Sequence, residues 1–241
     1  MKKIILSTVV VAAFVVAAQA ADKDANTFVT HTELGYIQTD GNTQTKTFDL
    51  DANAKKTWDK HQLSLKLDAQ YGSADDKENK KKYLFEANYD YAFTSRFAFN
   101  YLAGYKSDIY SGYTYQIYTG PGAKYQAIKT AAHDLSLTAN ILYNKDKFYP
   151  GENTNSYSGY RAQALYAYNI KKDLKFTQEL DIRGDFKDST NYFANSKTAL
   201  TTKISDIFSA GVSYKIAYVN LPVAGKENKD TTLTANLIMD Y

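Results

Sequence analysis

The chain has 241 residues with a formal charge of +3 from 29 basic and 26 acidic side chains, which leaves no basic excess of the kind a nucleic-acid partner requires. Cysteine is absent, so disulfides and thiolate metal sites are excluded, and only His31, His61 and His133 could offer imidazole ligands. Tyrosine is abundant, 22 residues beside 12 Phe and the single Trp58, with only three prolines, a composition suited to strands whose rings need one apolar and one wet contact.

The first element is a leader. Lys2 and Lys3 precede an apolar run over residues 4–17, and Ala18-Gln19-Ala20 supplies a small-x-small cleavage site. This is the pattern of a secretory signal peptide. The run is about 14 residues, short of the roughly 20 that a spanning helix needs. The chain therefore divides into a signal peptide over 1–20, cleaved between Ala20 and Ala21, and one exported domain over 21–241.

From Thr27 onward the sequence alternates with period two, the signature of extended strands whose successive side chains face opposite ways. "TFVTHTELGYIQT" reverses at Asp40-Gly41-Asn42, an Asp-Gly hairpin signal, into "TQTKTFDLDANAK". The third segment sets Leu63, Leu65, Leu67, Ala69 and Tyr71 against Gln62, Ser64, Lys66, Asp68 and Gln70. After "SADDKENK", read as a polar loop, the fourth carries Tyr83, Phe85, Ala87, Tyr89, Tyr91 and Phe93 on one face. It turns at Thr94-Ser95 into the fifth, with Phe97, Phe99, Tyr101, Ala103 and Tyr105. The sixth, from 112 to about 128, contains Gly120-Pro121-Gly122, which predicts a bulge or bend.

The seventh segment has Leu135, Leu137, Ala139, Ile141 and Tyr143. The eighth, after the loop "NKDKFYPGENTNS", has Tyr160, Ala162, Ala164, Tyr166, Tyr168 and Ile170. In the ninth, Leu174, Phe176, Leu180, Ile182 and Phe186 oppose Lys175, Thr177, Glu179, Asp181, Arg183 and Asp185. A weaker tenth covers 192–204, and the eleventh carries Phe208, Ala210, Val212, Tyr214, Ile216 and Tyr218. The loop "NLPVAGKENK" leads to the closing "TLTANLIMDY", where Leu233, Ala235, Leu237, Met239 and Tyr241 alternate with polar residues and Ile238 is the exception.

About twelve strands, with short connections after the second, fourth, eighth and tenth and mostly longer polar ones elsewhere, predict an all-β, antiparallel, up-and-down transmembrane β-barrel. Its short turns would face the periplasm and its longer loops the outside. Trp58, Phe93, Phe97, Phe176, Phe208 and Tyr241 would then ring the periplasmic end of the membrane. Tyr71, Tyr83, Tyr105, Tyr143 and Tyr218 would ring the outer end. Such aromatic girdles mark the two lipid–water interfaces. A soluble, exported lipocalin-like barrel is the alternative, but its core would hold many tyrosines in need of hydrogen-bond partners.

Several stretches, "ELGYIQTDGNTQT", "SGYTYQ", "FTQEL", and "KTALTTKISD" through "DTTLTANLIMDY", resemble the YdiY-like family of salt-induced outer-membrane proteins, the domain of unknown function 481. The resemblance spans nearly the whole exported domain. It implies residence in the bacterial outer membrane and a link to salt or osmotic stress, and supplies no catalytic residues. The terminal aromatic on an alternating strand also resembles the signal read by the outer-membrane assembly machinery, a partner in biogenesis alongside the membrane lipid.

The polar faces would line the lumen with Asp49, Asp51, Asp68, Glu86, Asp90, Glu179 and Asp181 beside Lys66, Lys106, Arg161, Lys175, Arg183 and Lys215. A selective channel shows rings of one sign, whereas here the signs balance. Both a narrow polar conduit for small solutes and an interior cross-linked by ion pairs fit such a barrel. An outer-membrane enzyme or ligand-binding barrel is a further alternative. "HQLS" and "HDLS" each place Ser three residues after His, which on a strand points the two to opposite faces and offers no triad. The reading is a non-enzymatic barrel without cofactor or metal, either structural or a passive diffusion channel.

Overall fold

In a computed structural model that describes residues 26–39, 45–151 and 153–240, the chain forms twelve strands. These are β1 (Asn26–Thr39), β2 (Thr45–Trp58), β3 (His61–Ala74), β4 (Lys77–Ala92), β5 (Phe97–Asp108) and β6 (Tyr113–Lys129), followed by β7 (His133–Phe148), β8 (Thr154–Lys171), β9 (Leu174–Asp185), β10 (Tyr192–Lys203), β11 (Phe208–Val219) and β12 (Lys229–Asp240). Each pairs antiparallel with its neighbours in sequence, and β1 pairs with β12, so the sheet closes on itself and leaves no free edge. The residues of the leader, with Ala18 and Ala20, the Asp40-Gly41-Asn42 turn and Tyr241 lie outside the described residues.

Alternation is what makes these segments strands, and the barrel sorts the two faces in the sense opposite to a soluble protein. Inward side chains such as Asp51 (2% exposed) and Gln116 (0%) are buried, while outward Leu237 (52%) and Ile141 (65%) are open. An aliphatic wall exposed around a polar interior is stable only in lipid, where every backbone group must be paired within the sheet. The molecule is a transmembrane β-barrel.

Three features differ from the sequence reading. "SADDKENK" is not a loop: β3 runs to Ala74, β4 starts at Lys77, and Asp75 and Asp76 alone make the turn, with φ of 49° and 59°. Two successive positive φ values are those of the tight hairpin turn whose twist matches paired strands. "NKDKFYPGENTNS" is likewise mostly strand, with only residues 149–153 between β7 and β8. Strands of 12 to 18 residues exceed the roughly 9–11 that cross a bilayer, so polar residues first read as loops extend the barrel beyond the membrane on its long-loop side.

Nor does Pro121 bend β6. The pairings Thr119↔Tyr143 and Gly122↔Asn140 keep one register across it, and the shifts fall instead at Tyr113/Tyr115 and Gln126/Ile128. Pro121 sits opposite Tyr101 on the outward face. A Cβ at Gly120 would come 2.0 Å from the carbonyl oxygen of Ile141, so the two strands approach there too closely for a side chain.

Candidate functional site

The interior is the part of the molecule where chemistry collects. Toward the short-turn end Asp90 accepts hydrogen bonds from Lys124 Nζ (2.7 Å) and Asn100 Nδ2 (2.6 Å), and Asn140 donates to Asn100 (2.7 Å). Further up the barrel Lys197 reaches Glu33 and Asp51, both at 2.9 Å. Lys215 reaches Asp49 at 3.0 Å and Asp68 at 2.7 Å. Arg161 on β8 joins Glu86 on β4 at 3.3 Å and also pairs with Asp181 through its Nε.

The longest reach is Lys66 on β3 to Glu179 on β9 at 3.1 Å, with Gln163 donating to the same carboxylate at 3.1 Å. Counted around the ring of twelve, β3 and β9 stand opposite each other, so this pair crosses the lumen. The chemistry of the lattice is compensation. Desolvating such ions costs several kcal/mol each, and the partner's charge and the added hydrogen bonds offset that cost.

A second device is apolar. Leu102 on β5, Tyr118 on β6 and Leu142 on β7 form a buried cluster against Leu84 on β4. All four sit on the polar phase of their strands, beside Asn100, Gln116, Asn140 and Glu86. Tyr118 donates to Glu86 at 2.5 Å, tying the cluster to the ion pairs. Gly104, which faces Tyr118 across the β5/β6 ladder, is the slot for its ring: a Cβ there would lie 2.1 Å from a ring carbon. Sequence reasoning missed this cluster. The signal was present as apolar residues out of phase, of which Ile238, buried inside β12, was the one noticed.

A cavity of about 360 Å³, walled in part by the ion-pair residues Lys66, Arg161, Lys197 and Lys215, opens toward the longer loops past Tyr110, Ser111 and Lys226. Lys82, Lys106 and Arg183 line it, and among the described residues none has a carboxylate within ion-pair distance. Arg183 is held between Tyr118 and Phe193, its guanidinium carbon 4.3 and 4.8 Å from the two ring centroids. Lys175 stands apart from these, exposed at the start of β9 by the short turn from β8.

The rims carry the aromatics. Tyr71, Tyr83, Tyr105 and Tyr143 are exposed in the outer halves of β3, β4, β5 and β7, and Tyr218 is half-buried near the outer end of β11. Phe93, Phe97 and Phe208 are exposed at the opposite end, with Trp58 and Phe176 half-buried. Two histidines complete that lower ring. His61 stacks on Trp58 at 5.5 Å and lies 2.7 Å from the Tyr89 hydroxyl. His133 stacks on Tyr168 at 4.6 Å and lies 2.8 Å from that of Tyr166. Both thus belong to outward aromatic clusters, while Ser136 is buried on the other face of β7.

With this geometry in hand the chain can be set beside known proteins. The family described as "Protein of unknown function, DUF481" matches residues 32–241. The chain belongs to the DUF481 family. No curated protein matches this DUF481 chain in sequence. Among solved structures the NanC porin aligns with a TM-score of 0.50 at 10% identity, covering 88% of this chain and 97% of that one. An outer membrane channel from Pseudomonas putida F1 aligns at 0.49 and 8% identity over 92% and 100%. The KdgM porin, solved in complex with disordered oligogalacturonate, aligns at 0.45 and 12% identity over 89% and 98%. At such identities the likeness to NanC is one of fold: this DUF481 barrel resembles bacterial outer-membrane proteins.

Proposed function

We propose that this protein is a non-enzymatic barrel of the bacterial outer membrane whose lumen is closed to free diffusion at rest. Small solutes pass only when the ion pairs across it open. The observation that carries the reading is the Lys66–Glu179 pair between opposite walls, set among inner side chains that are buried where a wide pore would leave them wet. An open diffusion channel of this strand number would expose its lining. The leader over 1–20 fits export, and the closing alternation through Tyr241 fits delivery by the outer-membrane assembly machinery.

The link to salt follows from the same lattice. Lys66 and Glu179 each keep about a fifth of their side-chain surface, and partly hydrated charges are weakened by dissolved ions more than dry ones. Rising ionic strength should therefore favour the open state.

The test is single-channel recording from the barrel purified out of membranes of cells expressing the full chain. At low potassium chloride the wild type should be silent apart from brief openings, and Lys66→Ala combined with Glu179→Ala should open more often and for longer. A steady, large conductance from the wild type would overturn the closed lumen.

A further inference from the structure

We propose that the outer cavity is a binding site for a small organic anion, whose carboxylate or phosphate oxygens are received by Arg183 with Lys106 and Lys82. It stands independently of whether the lumen conducts.

Arg183 carries the argument. It is 5% exposed, lines the cavity, and its Nη1 is buried without a hydrogen-bond partner. Its neighbour in the β8/β9 ladder makes the contrast: Arg161, paired in register with Arg183, is neutralised by Glu86 and Asp181. Two arginines on adjacent strands thus have opposite fates, one with two carboxylates and one with none within ion-pair distance among the described residues. An unpaired buried cation is among the costlier arrangements a fold can hold, and a counter-ion from solution removes that cost.

The surroundings suit an oxyanion. The rings of Tyr118 and Phe193 lie against the guanidinium, which orients a group whose rigid planar fork matches a carboxylate or phosphate with two parallel hydrogen bonds. Lys106 and Lys82 add two further cations on the same cavity wall. Carboxylates line the cavity as well, and those on this side are engaged: Glu86 and Asp181 pair with Arg161. Asp108 accepts from the Ser111 backbone at 3.1 Å, and Asp146 accepts from Gln116 at 3.2 Å and Tyr157 at 3.1 Å. A space of about 360 Å³ is within the range of small-molecule sites and admits a solute about the size of a sugar acid.

Binding of glucuronate, inorganic phosphate and glucose to the purified barrel, measured by calorimetry, tests the site. Glucuronate, phosphate or both should bind and glucose should not; which of the two anions binds identifies the oxyanion. Arg183→Gln should weaken anion binding about tenfold or more, since it removes a charge-assisted bidentate contact. The same substitution should raise the unfolding temperature of the anion-free barrel, because a buried cation without an ion-pair contact is gone, while abolishing the rise that the anion gives the wild type. Lys106→Gln, at a position with no ion pair among the described residues, should weaken binding without disturbing the fold.

Three results would overturn the proposal. One is anion binding no stronger than that of glucose. Another is unchanged binding in both variants. The third is a lowered unfolding temperature in Arg183→Gln with binding intact in Lys106→Gln, which would make the guanidinium a clamp between two rings.

Discussion

At the scale of single residues, the inside of this barrel is less forgiving than a wet lumen. Removing Arg161 strands Glu86 and Asp181, both largely buried; breaking a buried pair from one side costs about 3–5 kcal/mol. Removing Lys66 leaves Glu179 with the Gln163 amide and some hydration. Arg161→Ala should therefore destabilise far more than Lys66→Ala in reversible unfolding from lipid vesicles. On the outer wall the sign of tolerance reverses. Leu237→Arg or Leu65→Arg should cost roughly 2–4 kcal/mol near the midplane, more than Lys66→Ala in the same assay. Gly104→Ala should cost about 1–3 kcal/mol, the range for an overpacked core, because its methyl collides with the Tyr118 ring.

Single strands and turns show what a sequence can and cannot reveal. β3 was readable because Leu63, Leu65 and Leu67 never leave their phase. β5 was readable as a strand, yet Leu102 lies inside, buried among polar neighbours; period two fixes a face without saying which apolar residues have crossed to the other. The ion pairs were legible as a balance of signs but not as partners. Lys66 and Glu179 are 113 residues apart, and which strands face each other depends on closure of the whole ring. The β3/β4 turn was hidden by composition, since charged residues that continue a strand above the membrane look like a loop. That turn yields its own expectation. Asp76 holds φ of 59°, which costs an L-residue about 1–2 kcal/mol, so Asp76→Gly should raise the unfolding temperature and Asp76→Val should lower it.

For the molecule as a whole, the closed lumen predicts a conductance that rises with potassium chloride more steeply than the salt itself. In Lys66→Ala combined with Glu179→Ala, where the crossing pair is absent, current should return to simple proportion with bulk conductivity. Current–concentration curves of the two barrels check this directly. The crossing pair also bears on how the barrel comes into being. Glu86 on β4 is the in-register neighbour of Lys66, but the carboxylate that the amine hydrogen-bonds arrives only with β9, six strands later. While the sheet is still an open, growing curve, that amine and its neighbours must keep their water. The interior therefore dries last, when the far wall swings into place, and the release of that water becomes part of the driving force that finishes the cylinder.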